Sequence, residues 1–152
     1  MNTTLLALTI CIAAAALEGM LAGSGVRQRL ASLRMPPYSP PFPVWLAIGV
    51  VYYAICFTVL RRLLIGSFMV SLTLLVLVLL ANAFWNVLFF RWRDLRASFI
   101  AFIPYALLVA ALVVSLSGNY PFGAVLFMCY SAYLVYALWW GYRLWLLNPN
   151  ET

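Results

Sequence analysis

Five stretches of this chain are apolar for long enough to cross a bilayer, and that single feature leaves few folds open to it. They run roughly from Thr3 to Gly23, Pro43 to Leu60, Gly66 to Phe90, Ser98 to Leu116 and Phe122 to Leu147. At about 1.5 Å of rise per residue, each covers all or most of a hydrocarbon core about 30 Å thick. A soluble protein built from five such helices would need a polar outer layer. With 67% hydrophobic and 8% charged residues and a mean hydropathy of +1.05, the chain has no such layer to offer. The expected fold is all-α and integral to the membrane: a single five-transmembrane-helix bundle over residues 1–152, joined by a Pro-rich first loop at 24–42.

Charge placement predicts the orientation. The nine basic residues are all arginines and lie between or beside the apolar runs. Arg27, Arg29 and Arg34 follow the first helix, Arg91, Arg93 and Arg96 follow the third, and Arg143 sits near the end of the fifth. Five crossings put these on one side and leave Arg61 and Arg62 opposite. The positive-inside rule makes the arginine-rich side cytoplasmic, with the N-terminus outside and the C-terminus inside, in a bacterial inner membrane or an organelle membrane. The net charge of +6 therefore reads as headgroup contact with membrane lipids and not as a nucleic-acid surface. The first run has no positive segment before Leu5, so it is expected to be an uncleaved helix. Cys11, Cys56 and Cys129 fall inside spans, and without histidine or a CxxC spacing they make no conventional zinc site.

Two connections are informative. The segment from Ser24 to Phe42 carries Pro36, Pro37, Pro40 and Pro41 around Tyr38 and Ser39, which predicts an extended or turning path and a lid or binding element. Ser117 to Pro121, with Gly118, Asn119 and Pro121, reads as a turn between antiparallel helices.

Polar and aromatic residues within the spans need reasons. Asn82 and Asn86 share a helix face with Trp85 beside them and Phe89 a turn further on; this face looks inward, either to bond a neighbouring helix or to meet a ligand. Tyr133, Tyr136, Ala137, Trp139 and Trp140 make an aromatic-rich stretch on the last helix, suited to bundle packing, an interfacial belt or a pocket wall. Glu18 is the only acidic residue inside a span and so a functional candidate. Its position about one turn from the cytoplasmic end lets it reach the headgroups or an arginine of the following loop, which is the arrangement expected. Gly19 and Gly23, with Ala15 before them, predict close backbone packing within the bundle.

Together these residues resemble the translocator protein family, the tryptophan-rich sensory proteins also called TspO or peripheral benzodiazepine receptors. Pro36-Pro37-Tyr38-Ser39-Pro40-Pro41 is similar to the first-loop signature, with tyrosine where tryptophan is usual. Asn82, Trp85, Phe89 and Phe90 match the third-helix signature, and Tyr130, Ala137, Trp145 and Asn148 fall in register with the last. Cys129, Tyr133 and Gly141 depart from it, and Gly49 stands where a second-helix tryptophan is common, with Trp45 one turn earlier.

The resemblance implies a cavity opening toward the first loop that binds planar hydrophobic molecules, most of all a porphyrin or haem precursor, with no cofactor required. Tyr38, Pro40, Pro41, Trp45, Asn82, Trp85, Asn86, Phe89, Tyr133, Tyr136 and Ala137 are the implied ligand-binding residues, with Arg27, Arg29 and Arg34 as an anchor for propionates. A sterol is a weaker expectation, because Tyr142 is followed directly by Arg143 and Leu146 holds the later position of the proposed cholesterol pattern. Ordinary catalysis lacks its parts, with no histidine and with Asp94 and Glu151 outside the spans. Light-driven oxidation of a bound porphyrin, reported for some family members, needs only pigment, oxygen and nearby aromatics. Transport is a further possibility the family raises, although neither an inverted repeat nor a broken midplane helix is visible. Homodimers occur in the family, often through the third helix, which here has no small-xxx-small stripe.

Overall fold

The structure is a computed structural model and describes residues 2–151. Its elements are α1 (Thr3–Ala22), α2 (Val26–Ser32), α3 (Phe42–Gly66), α4 (Met69–Asn86), continued by a π-helical turn at Val87–Arg91, α5 (Leu95–Asn119) and α6 (Pro121–Leu147). Five of these helices are long and apolar enough to span a membrane, α4 counted with its π turn. The chain is therefore an all-α integral membrane protein. Asn2 caps α1, its Oδ1 accepting from Thr4 N at 3.0 Å, and Asp94 caps α5 by accepting from Ala97 N at 2.7 Å. Pro43 and Pro121 stand in the first turns of α3 and α6, where a missing N–H costs nothing.

The helices form a closed ring in the order α1, α3, α6, α5, α4. Outward faces are apolar throughout, with Ile12, Val50, Val70, Leu107 and Val114 exposed where lipid would lie. Away from the arginine-rich end the interior is solid. Val59, Leu60, Leu63, Leu75, Val78, Leu112, Leu116 and Phe127 are fully buried there in one cluster. Ser71 and Ser115 share a hydrogen bond of 2.7 Å within this half, so their hydroxyls need no water. A smaller cluster of Leu33, Phe89, Leu95, Trp140 and Leu144 closes the arginine-rich end.

Several boundaries differ from those expected. Helix α3 continues through Arg61 and Arg62 to Gly66, because long arginine stems can turn toward polar and aromatic partners without ending the helix. Arg61 Nε donates to Thr4 Oγ1 at 2.9 Å, and Arg62 lies 6.0 Å from the ring centres of Phe68 and Tyr120. The expected turn at Ser117–Pro121 shrinks to Tyr120 alone between α5 and α6. The first connection is not extended throughout, since its first part forms α2. The close approach expected at Gly19 and Gly23 is absent: a Cβ at either position would meet nothing within 4 Å. Gly23 instead ends α1 at φ 76° and ψ −177°, a positive-φ conformation that is open to glycine because it has no Cβ.

Candidate functional site

A cavity of about 360 Å³ lies between the solid half of the bundle and the arginine-rich end, a size typical of small-molecule sites. Helix α1 contributes Ala15, Glu18, Gly19 and Ala22, and α3 contributes Phe42, Trp45, Leu46 and Gly49. Asn82, Trp85, Asn86, Phe89 and Phe90 enter from α4 and its π turn. The wider turn there inserts an extra residue, bringing Phe89 and Phe90 both to the wall; such turns are frequent at functional sites. Ser98, Phe99 and Phe102 come from α5, and Tyr130, Tyr133, Ala137, Trp140 and Gly141 from α6.

The aromatic groups form a continuous run. Trp85 stacks on Phe89 at 4.9 Å with 22° between planes, Phe89 lies 6.1 Å from Trp140 at 30°, and Trp140 meets Trp45 at 5.0 Å. Hydrogen bonds hold the indoles in place: Trp85 Nε1 donates to Ser98 O at 3.2 Å and Trp140 Nε1 to Ser39 Oγ at 2.9 Å. These rings are therefore pre-positioned as flat apolar surfaces. Glu18 does not turn to the headgroups or to an arginine. It faces the cavity, where Asn82 Nδ2 donates to its Oε1 at 2.7 Å. Asn82 thus bonds a neighbouring helix and lines the cavity at once, while Asn86 Nδ2 donates back to Asn82 O at 3.0 Å.

Of the residues singled out from sequence, Trp45, Asn82, Trp85, Asn86, Phe89, Tyr133 and Ala137 line the cavity together. Tyr38, Pro40, Pro41 and Tyr136 do not. Tyr38 adopts a φ of 64° in the turn at the loop's tip, and its side chain swings outward, 89% exposed. Its carbonyl oxygen accepts from Tyr136 Oη at 3.1 Å, which makes these two residues fasteners of the loop and not walls. Arg29 is not free to anchor a ligand: Nη1 pairs with Glu151 at 2.7 Å and Nη2 donates to Arg93 O at 3.2 Å. Arg27 and Arg34 are exposed beside the cavity end and do not line it.

Sequence reasoning missed the cover from α2, where Val26 and Leu30 close the cavity end, because a seven-residue helix in a loop has too short a pattern to read. It also missed Phe99 and Phe102, which lie in a span without intramembrane charge to mark an inward face. Gly49 could have been found: as the position of a missing bulky side chain, it signals space, and a Cβ there would meet nothing within 4 Å. Ala15, Leu46 and Gly49 also line an apolar groove on the outer α1–α3 seam, so these three residues border both the cavity and the lipid-facing side.

The loop is held to α6 most firmly at Asn148. Its Oδ1 accepts from Arg34 N at 2.9 Å, while Nδ2 donates to Arg34 O at 3.1 Å and Leu144 O at 2.8 Å. Asn148→Ala is expected to speed amide exchange across residues 33–41 by about tenfold, the loss of roughly two backbone hydrogen bonds. Exchange mass spectrometry in detergent checks this, and unchanged rates would show that Pro packing alone fixes the loop.

The sequence model of the TspO/MBR family matches residues 7–146, nearly the whole chain. The chain belongs to the TspO/MBR family. Membership supports a membrane role of sensor or transporter type, and a hydrophobic small molecule as the partner. A comparison with curated proteins found no match. The residues that carry the resemblance have physical jobs here: Asn82, Trp85, Phe89 and Phe90 line the cavity from α4 and its π turn, and Asn148 ties down the loop that the prolines shape.

Proposed function

We propose that the cavity binds a planar hydrophobic molecule, best a tetrapyrrole such as a porphyrin or haem precursor, and that the protein is a membrane sensor of that ligand. The observation that carries this reading is the run of Trp85, Phe89, Trp140 and Trp45 along a largely apolar cavity, which offers a flat ring flat partners. The seam at Ala15, Leu46 and Gly49 faces the direction from which a molecule dissolved in the bilayer arrives. Arg27 and Arg34, exposed at the cavity end, are placed to receive carboxylates that project out of it. The arginine-rich end is cytoplasmic in this reading, which puts the loop and α2 on the inner face.

Titrating protoporphyrin into the protein in a non-ionic detergent and following the pigment's absorbance tests the proposal. Wild type is expected to saturate, and Trp85→Ala to bind about tenfold more weakly after losing one ring face. An unsaturable signal, or equal affinity in the variant, rejects the site.

A further inference from the structure

Among the described residues, the one formally charged side chain in the cavity wall is negative. Nine arginines are present, yet none lines the cavity, and Arg29, the one buried at its end, is committed to Glu151 and the Arg93 carbonyl. Glu18 enters from α1; its Oε1 accepts from the Asn82 amide, and the buried Tyr53 hydroxyl, which has no other partner, lies beside the same carboxyl. Both of these neighbours are neutral, and the Oδ1 atoms of Asn82 and Asn86, one turn apart on the facing helix, accept no hydrogen bond among the described residues. The indole N–H groups of Trp85 and Trp140 are already donated to Ser98 and Ser39, and the donors that remain in the wall are neutral. A carboxylate in an apolar chamber attracts a cation or N–H donor strongly and repels an anion, because little water is present to screen it. A protonated nitrogen would give the carboxylate the cationic partner that the neutral Asn82 amide and Tyr53 hydroxyl do not provide.

We propose that Glu18 sets the ligand preference of the cavity, holding flat apolar molecules by a protonated or N–H nitrogen turned toward α1 and excluding carboxylates from the chamber. This rests on the cavity reading above and adds an orientation to it: any acidic arms of the ligand leave toward the exposed arginines, while its nitrogen side faces Glu18, Asn82 and Asn86.

Three tricyclic probes of similar size separate charge from shape: 9-aminoacridine, protonated at neutral pH; anthracene; and anthracene-9-carboxylate. Binding is read by probe fluorescence in non-ionic detergent for wild type and Glu18→Gln. Glutamine keeps an oxygen for Asn82 to donate to, so the helix contact is retained while the charge is lost. Wild type is expected to prefer the aminoacridine over the carboxylate by about tenfold or more, and Glu18→Gln to collapse that preference while anthracene affinity stays unchanged. If wild type binds the carboxylate as tightly as the amine, the proposal is overturned whatever the variant does. The same holds if the preference survives in Glu18→Gln, while anthracene binding would leave the cavity reading standing. If anthracene does not bind either, the cavity reading fails and this proposal falls with it.

Discussion

Glu151→Ala is expected to cost about 2 kcal/mol of stability, and to cost more than Arg29→Met at the other end of the same ion pair. The asymmetry follows from burial. The Arg29 side chain is 5% exposed and that of Glu151 35%, so removing the carboxylate leaves a guanidinium stranded in the bundle. Removing the guanidinium leaves a carboxylate that water still reaches. Arg29 Nε is buried without a partner even with Glu151 present, so the group has nothing in reserve. The figure lies below that of a fully buried pair because Glu151 is already partly solvated. Thermal unfolding in one detergent at one scan rate compares the two variants, and Arg29→Met/Glu151→Ala together should be no worse than Glu151→Ala alone. A larger loss for Arg29→Met would mean that the guanidinium is solvated. The pair matters to the site because it joins α2, the α4–α5 connection and the C-terminal segment around the cavity's covered end.

Phe127→Ala should destabilise the bundle by about 2–3 kcal/mol. Phe127 is fully buried on α6 among residues of the solid half, with its ring edge-on to Tyr130 at 6.1 Å. In a water-soluble core such a truncation costs about 3–5 kcal/mol, part of which is transfer of apolar surface from water. Lipid is as apolar as the core, so that part shrinks, and what remains is lost dispersion contact around an unfilled hole. The change lies beyond the cavity wall, so a folded variant should still bind the planar probes. Chemical unfolding in mixed micelles measures the loss. A change below about 0.5 kcal/mol would show that this half relaxes to fill the hole, contrary to close packing.

The five spans were legible because length and hydropathy must satisfy the bilayer whatever the neighbours do. The signature face of α4 was legible for a related reason: amides and a large indole at helical spacing cannot all face lipid. Glu18 shows where this kind of reading stops. Its distance along α1 permitted a headgroup, a loop arginine or the interior, and only the position of Asn82 on another helix selected the interior. Arg29 stops it in the same way, since its partner is 122 residues away. Tyr38 was assigned to the wall through the loop signature, but a left-handed turn at that residue aims its ring outward.

Sequence alone thus determined insertion into a membrane, the number of apolar spans and which stripe of α4 faces inward, because these depend on each segment's own apolarity and period. Tertiary structure alone decided that α2 covers the cavity, that the loop prolines and Tyr38 stand outside its wall, and that a carboxylate and not an arginine faces into it. Those outcomes depend on how helix faces rotate against one another when they pack, and no single segment carries that information.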